Sequence, residues 1–370
     1  MNPILQFGTS RFLQAHVDLF VGEALARGQA LGAITVVQTT DSAQSATRVA
    51  AFNQPGGYPV HIRGRKNGET VTSEQRVHAV TCALQADRDW PAIRAQAIRA
   101  VQVIVSNTGD LGYQLSPQDH RGLLDADIAP RSFPAKLLVL LHARYRNGAM
   151  PVTLLPCELV SDNGSVLRDA VLALARSWAC EPAFVTWLAE NCIWINSLVD
   201  RIVSEALDPV GAVAEPYALW AIEAQPGMVL PCSHPDMVVT KYLRPYERRK
   251  LFLLNLGHTF LAHQWLSERR PASETVLEAM ADPVLRGRLK TVWEDEVLPV
   301  FRALGEEAET RTYLAQLRDR FDNPYLAHRL SDIAQNHHQK ITRRVRPVVE
   351  LAAKFDLDIP QTSLRAMLQA

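Results

Sequence analysis

No apolar run in the 370 residues comes near the roughly 18–20 needed to cross a bilayer. The opening MNPILQFGTSRF has no cationic segment followed by a signal-type apolar core and cleavage site. A surplus of one charge is missing too, since Lys plus Arg and Asp plus Glu both number 39. Neutralising a phosphate backbone needs surplus cations, so a whole-surface polyanion binder is excluded. Cysteine is sparse. The five (Cys82, Cys157, Cys180, Cys192, Cys232) are odd in number, far apart and without a CxxC pair. That argues against a disulfide framework and a closed thiolate zinc site. No low-complexity linker or short repeat interrupts the chain. The expectation is a soluble, reduced, cytoplasmic protein with no nucleic acid, membrane or metal among its partners.

The composition that remains, 47% hydrophobic and 21% charged, is globular, and the length suits two domains. Ile4-Leu5-Gln6-Phe7 is a short apolar run stopping at Gly8, and Phe12 to Arg27 follows with helical apolar spacing. Ala33 to Gln38, Val101 to Ser106 and Val152 to Leu155 read as buried parallel strands. Tyr58 to Gly64 and Glu69 to Thr72 flank Lys66-Asn67-Gly68, a strong hairpin signal. After about residue 240 the beta-branched runs fade and helical spacing takes over, as in Arg248 to Glu268, Ser273 to Met280, Pro283 to Glu296 and Tyr313 to Arg320. These patterns predict an α/β fold: an N-terminal Rossmann-like parallel sheet with an antiparallel insertion over residues 1–240, plus an all-helical C-terminal domain over 241–370.

A strand that stops at a glycine and feeds a helix offers backbone amides to a pyrophosphate. Phe7, Gly8, Thr9, Ser10, Arg11 and Phe12 form such a stretch, with Ser10 and Leu13 where further glycines are usual. By itself an ordinary strand-to-helix turn accounts for it as well. Past the second strand, Asp41 is placed to accept from an adenosine ribose and repel a 2′-phosphate, which points to NAD rather than NADP. A helix N-cap is its alternative reading. Ser106, Asn107 and Thr108 put small polar groups at the carboxyl edge of the sheet, where ligands of such folds sit.

The segment Tyr246 to Thr259 carries Lys250, Asn255 and His258 among leucines and phenylalanines. A core helix with a surface lysine explains each residue singly. Together they supply an amine to move a proton, an amide for an alkoxide and an imidazole, as carbonyl reduction requires. Lys-x4-Asn-x2-His resembles the signature of the polyol-specific long-chain dehydrogenases, the mannitol dehydrogenase family. Other blocks in register are similar to that family: Ile4 to Gly8 with Arg11-Phe12, Ser106-Asn107-Thr108, Pro156-Cys157-Glu158-Leu159 with Asn163-Gly164, Asn196 to Ile202, and Arg320-Phe321 with Asn323-Pro324 and Lys340.

The resemblance implies that Lys250 is the general acid and base, that Asn255 hydrogen-bonds the reacting oxygen, and that His258 orients substrate hydroxyls. It further implies that Asp200 and Lys340 line the sugar site and that hydride passes directly to or from NAD without a metal. Desolvation with Arg248 and Arg249 nearby would lower the lysine pKa. Mannitol-oxidising members place a second asparagine where this chain has Leu159. The Pro-Cys-Glu-Leu version looks more like the tagaturonate and fructuronate reductase branch, whose anionic substrates would suit Lys340, Arg343 and Arg344. The expected partner is therefore a small sugar acid or a polyol, bound by a monomer or small homo-oligomer. A polyol dehydrogenase on the same scaffold and a dinucleotide-binding protein without catalysis are the alternatives.

Overall fold

The computed structural model describes residues 1–40, 42–109 and 112–369. In chain order the strands are β1 (Ile4–Phe7), β2 (Ile34–Gln38), β3 (Tyr58–Lys66), β4 (Glu69–Val77), β5 (Val80–Gln85), β6 (Val103–Ser106) and β7 (Thr153–Pro156). They continue with β8 (Ile193–Trp194), β9 (Ser197–Asp200), β10 (Val203–Ala206), β11 (Ala212–Ala214), β12 (Leu219–Glu223) and β13 (Met237–Thr240).

The central sheet has the order β5-β2-β1-β6-β7-β8, and every neighbouring pair in it is parallel. The order reverses between β1 and β6, so the carboxyl ends of those two strands flank the crevice that binds ligands in such sheets. The strands β1, β2 and β6 are buried along their whole length, which is why they read as unbroken apolar runs rather than alternating ones. The helix Phe133–Arg146 covers one face with Leu137, Leu138, Val139, Leu140 and Leu141, all essentially inaccessible. Burying each such side chain contributes about 1.5–3 kcal/mol.

The hairpin expected from Lys66-Asn67-Gly68 forms between β3 and β4, which lie side by side in a second sheet of order β10-β11-β3-β4. Asn67 (φ 55°) and Gly68 (φ 80°) both occupy the left-handed region that a two-residue hairpin turn demands. A third small sheet has the order β13-β12-β9. The stretch Phe12 to Arg27, read as one helix, is two: Arg11–Ala15 and Val17–Ala26, broken at His16 (φ −122°, ψ −79°).

The chain divides into two compact units. The first is Met1–His61, Glu74–Ala214 and Ala218–Leu243, and the second is Ile62–Ser73, Glu215–Tyr217 and Arg244–Ala370. The single boundary near residue 240 drawn from the sequence leaves out that the tip of the β3–β4 hairpin and the short segment Glu215–Tyr217 group with the second unit. From Arg244 onward the regular elements are helical, around a core of Phe252, Leu256, Phe260, Trp293, Phe301 and Phe321.

Candidate active site

The turn after β1 is built around Gly8. Its φ is +116°, and a Cβ there would lie 2.7 Å from the carbonyl oxygen of Asn107, so neither the backbone conformation nor the space admits a side chain. Ser10, standing where a second glycine is usual, caps the next helix by accepting from the Leu13 N–H (3.2 Å). Its hydroxyl also reaches Asn107 Oδ1 (3.2 Å) and ties the turn to the end of β6. The backbone N–H groups of Thr9, Ser10, Arg11 and Phe12 find no acceptor among the described residues. A side-chain-free approach beside four unpaired amides fits a dinucleotide pyrophosphate.

Residues not singled out from the sequence complete this corner. Thr9 is hydrogen-bonded to Gln38 at the end of β2, and Arg48 Nη1 donates to the Thr9 hydroxyl (3.3 Å). Arg11 is exposed and donates to the Ser204 carbonyl (3.2 Å), while Phe12 stacks on His16 (4.9 Å). Asp41 lies outside the described residues. The N-cap of the helix Ala43–Phe52 is Ser42.

At the end of β6, Ser106, Asn107 and Thr108 are already engaged. Asn107 Nδ2 donates to the Cys157 carbonyl (2.8 Å). Ser106 Oγ (3.1 Å), Thr108 N (3.0 Å), Thr108 Oγ1 (3.0 Å) and Tyr113 OH (3.0 Å) all donate to the buried carboxylate of Glu158. Burial first and then the Glu158 charge push the Tyr113 phenol well above its ordinary range. Leu159, next along, is 71% exposed and offers no donor. The neighbouring family-like blocks are joints. Asn163 Nδ2 donates to the carbonyls of Pro156, Glu158 and Ser197, and a Cβ on Gly164 would meet Ile195 O at 2.3 Å. Asp200 is buried at the end of β9, and Arg201 beside it donates to the Ala15 carbonyl (2.7 Å).

In the second unit, Lys250 and Asn255 begin and end a π-helical turn, Lys250–Asn255, set between the α-helices Arg244–Arg249 and Leu256–Ser267. In a regular α-helix, positions five apart stand about 140° around the axis from each other. An i→i+5 turn brings them closer to one face, and such turns concentrate at functional sites. The Leu256 N–H bonds the Leu251 carbonyl five residues back. Trp293 Nε1 takes the Leu253 carbonyl (3.1 Å). The Asn255 carbonyl is held by Thr259 Oγ1 (2.8 Å) and Arg344 Nη1 (3.2 Å). The reading of this segment as one regular α-helix is corrected here: the Leu256 N–H reaches five residues back, and side chains add bonds to the Leu253 and Asn255 carbonyls.

Lys250 and Asn255 are half-buried, and the Asn255 side-chain amide makes no hydrogen bond among the described residues. His258 is buried, stacked on Phe321 (4.5 Å between ring centroids) and edge-on to His328 (4.9 Å). Burial, and then the charges of His328, Arg320, Arg344 and Lys340, hold His258 well below the usual imidazole range. Arg320 is itself neutralised by a buried double hydrogen bond to Glu215 (3.0 and 2.8 Å) under the Tyr217 ring. Lys340, in the helix His337–Arg344, donates to the Ile333 carbonyl (2.7 Å). Arg344 donates to Asn255 O and to Thr259 Oγ1 (2.9 Å). Among the described residues neither cation meets a carboxylate. Arg248 does: it is paired with Glu306, so one of the two positive neighbours expected beside Lys250 is compensated, while the other, Arg249, lies over the Tyr246 ring (4.5 Å).

The sequence-derived residues thus fall into two groups. Phe7 to Phe12, Ser106 to Thr108 and Asp200 belong to the first unit, and Lys250, Asn255, His258 and Lys340 to the second. Glu158, Tyr113, Arg48 and His328 were not picked out as site residues. Only Glu158 had a signal, as part of a family-like block, and its burial was not legible.

A dinucleotide-type sheet with a shaped strand-to-helix turn, together with an amine, an amide and an imidazole on one helical segment, defines an oxidoreductase scaffold. Comparison with known proteins makes this specific. Family models of the mannitol dehydrogenase Rossmann domain and C-terminal domain match residues 2–229 and 242–368, and the chain belongs to the mannitol dehydrogenase family. It is 29% identical to the altronate oxidoreductase of Bacillus subtilis (strain 168), over 97% of this chain and 77% of that protein. It is 31% identical to the altronate oxidoreductase of Yersinia pestis, over 94% and 74%. Among solved structures, D-sorbitol dehydrogenase in substrate-free form superposes with a TM-score of 0.81 at 20% identity, covering 100% of this chain and 80% of that one. Mannitol 2-dehydrogenase of Pseudomonas fluorescens, in a ternary complex with NAD and D-mannitol, gives 0.74 at 18%, covering 99% and 78%. These two likenesses establish the fold.

Proposed function

We propose that this chain uses NAD to interconvert a ketose acid, a hexuronate such as tagaturonate or fructuronate, and the corresponding hydroxy sugar acid. When bound, NADH would supply the hydride that reduces the carbonyl. Lys250 delivers a proton from Nζ to the carbonyl oxygen, and takes it back when the alcohol is oxidised. The Asn255 amide donates to that oxygen as charge develops on it. His258, kept neutral by burial, orients the hydroxyls, with Asp200 and Lys340 lining the sugar site. On the cofactor side, the turn from Phe7 to Phe12 takes the pyrophosphate and Asp41 the adenosine ribose, with the strand end Ser106 to Thr108 beside the nicotinamide half.

The observation that carries the acid reading is the pair Lys340 and Arg344, cations near His258 whose only described partners are carbonyl and hydroxyl oxygens. Desolvation and Arg343 push the Arg344 guanidinium down to about 10, a cost that an incoming carboxylate would relieve. The relatives named altronate oxidoreductase support the same class. Steady-state NADH oxidation with ketose acids and with fructose tests it, and kcat/KM should favour the acid by about 10- to 100-fold. Best turnover of fructose and mannitol would make the chain a polyol dehydrogenase. NADH binding without turnover of any ketose would leave it a non-catalytic dinucleotide binder.

A further inference from the structure

Glu158 is 4% exposed, and its two carboxylate oxygens accept four hydrogen bonds. Those four bonds use the lone-pair positions that the two oxygens offer. No cation partners it among the described residues. Two of the donors are the hydroxyls of Ser106 and Thr108, at the carboxyl end of β6. A hydroxyl has one proton to donate, so once that proton points at Glu158 only lone pairs remain for a ligand.

In a sheet of this order each half takes one nucleotide, and the half that begins with β1 and β2 takes the adenosine end. The β6 and β7 edge, where Glu158 sits, then serves the nicotinamide end. We propose that Glu158 is a positioning residue that sets the polarity of this edge. It turns the half-buried Thr108 hydroxyl into an acceptor for a carboxamide N–H2, with the buried Ser106 hydroxyl holding the carboxylate in place, and its uncompensated charge favours the cationic oxidised ring over the neutral reduced one. The inference rests on the dinucleotide reading above and adds a preference between the two cofactor forms. Tyr113, the fourth donor, moderates the charge.

The test is calorimetric titration of the full chain with NAD⁺, NADH and ADP-ribose, which lacks the nicotinamide. Glu158→Gln should weaken NAD⁺ by about tenfold and NADH by about threefold, and leave ADP-ribose within about twofold. Tyr113→Phe keeps the carboxylate and removes one donor, so it should shift the NAD⁺/NADH affinity ratio about twofold in favour of NAD⁺. It carries the test if Glu158→Gln does not fold. Equal loss of all three ligands would reduce Glu158 to a structural brace and overturn the proposal, as would an unchanged NAD⁺/NADH ratio in Glu158→Gln or, where that variant does not fold, in Tyr113→Phe. A parent chain that binds none of the three sinks the dinucleotide reading and this inference with it. A parent that binds ADP-ribose with an indifferent Glu158→Gln sinks this inference alone.

Discussion

The two halves of the candidate machinery are wired with opposite charge. At the end of β6 a buried carboxylate, Glu158, collects four neutral donors and, among the described residues, no cation. Around His258 the charged groups that act on it are cationic or imidazole, and the buried acid Glu215 is consumed by Arg320. A region that holds a negative charge against neutral donors suits a partner that is positive or hydrogen-bond-donating. One that holds cations against carbonyls suits an anion. The same fold therefore shows two different ways of leaving part of an electrostatic interaction for a ligand to complete.

The contrast can be broken most sharply at Gly8. Gly8→Ala must adopt a φ near +116° with its Cβ 2.7 Å from Asn107 O. Strain of about 1–3 kcal/mol plus the clash should cost on the order of 100-fold in NADH affinity, read by fluorescence titration. Retained affinity would show that the turn is not the pyrophosphate seat. Next in size, Lys340→Ala should lower kcat/KM for a ketose acid about tenfold and leave a neutral ketose within about twofold. Equal losses on both substrates would remove the anion argument.

The contrast extends to pH. Burial holds His258, His263, His328 and His337 below the ordinary imidazole value of 6.5, His337 at about 4. The unfolded chain takes up these protons from about 6.5 downward and the folded chain resists them, so stability from this source falls as pH drops from 6.5 toward 4. Hydrogen exchange, corrected for intrinsic rates, should show Leu256–Ser267 and His337–Arg344 losing protection at pH 5 relative to pH 7. In the first unit Asp18 behaves oppositely. Burial raises it from 3.8 to about 7 despite hydrogen bonds from Tyr58 and Gln6. Its contribution is present below about pH 4 and lost as pH rises through 7, so Asp18→Asn should raise Tm by a few degrees at pH 8 and by less at pH 5. An equal shift at both pH values would show that Asp18 does not titrate in this range.

How much of this was legible in the sequence differs by region for physical reasons. The strands β1, β2, β6 and β7 and the Asn67-Gly68 hairpin were readable because burial on both faces and positive φ leave direct marks on composition. The strands from β8 to β13 left no such mark: all but β11 include accessible positions, which break the apolar run, and β11 is only three residues long. The Lys250, Asn255 and His258 constellation was visible as a spacing, but the π turn that brings the first two closer to one face was not. That turn depends on Trp293 and Arg344, 40 and 89 residues from the carbonyls they hold. Glu158 illustrates the same limit: one acidic letter in a family-like block does not reveal four donors converging from β6 and the loop beyond it.

The central claim, that one amine moves the proton while the rest of the chain holds cofactor and sugar, is tested most directly by Lys250→Ala assayed two ways. Turnover of a ketose acid should fall by about 1,000-fold or more at every pH, while the dissociation constant for NADH stays within about twofold of the parent. Turnover that persists across the pH range with NADH still bound would contradict the account.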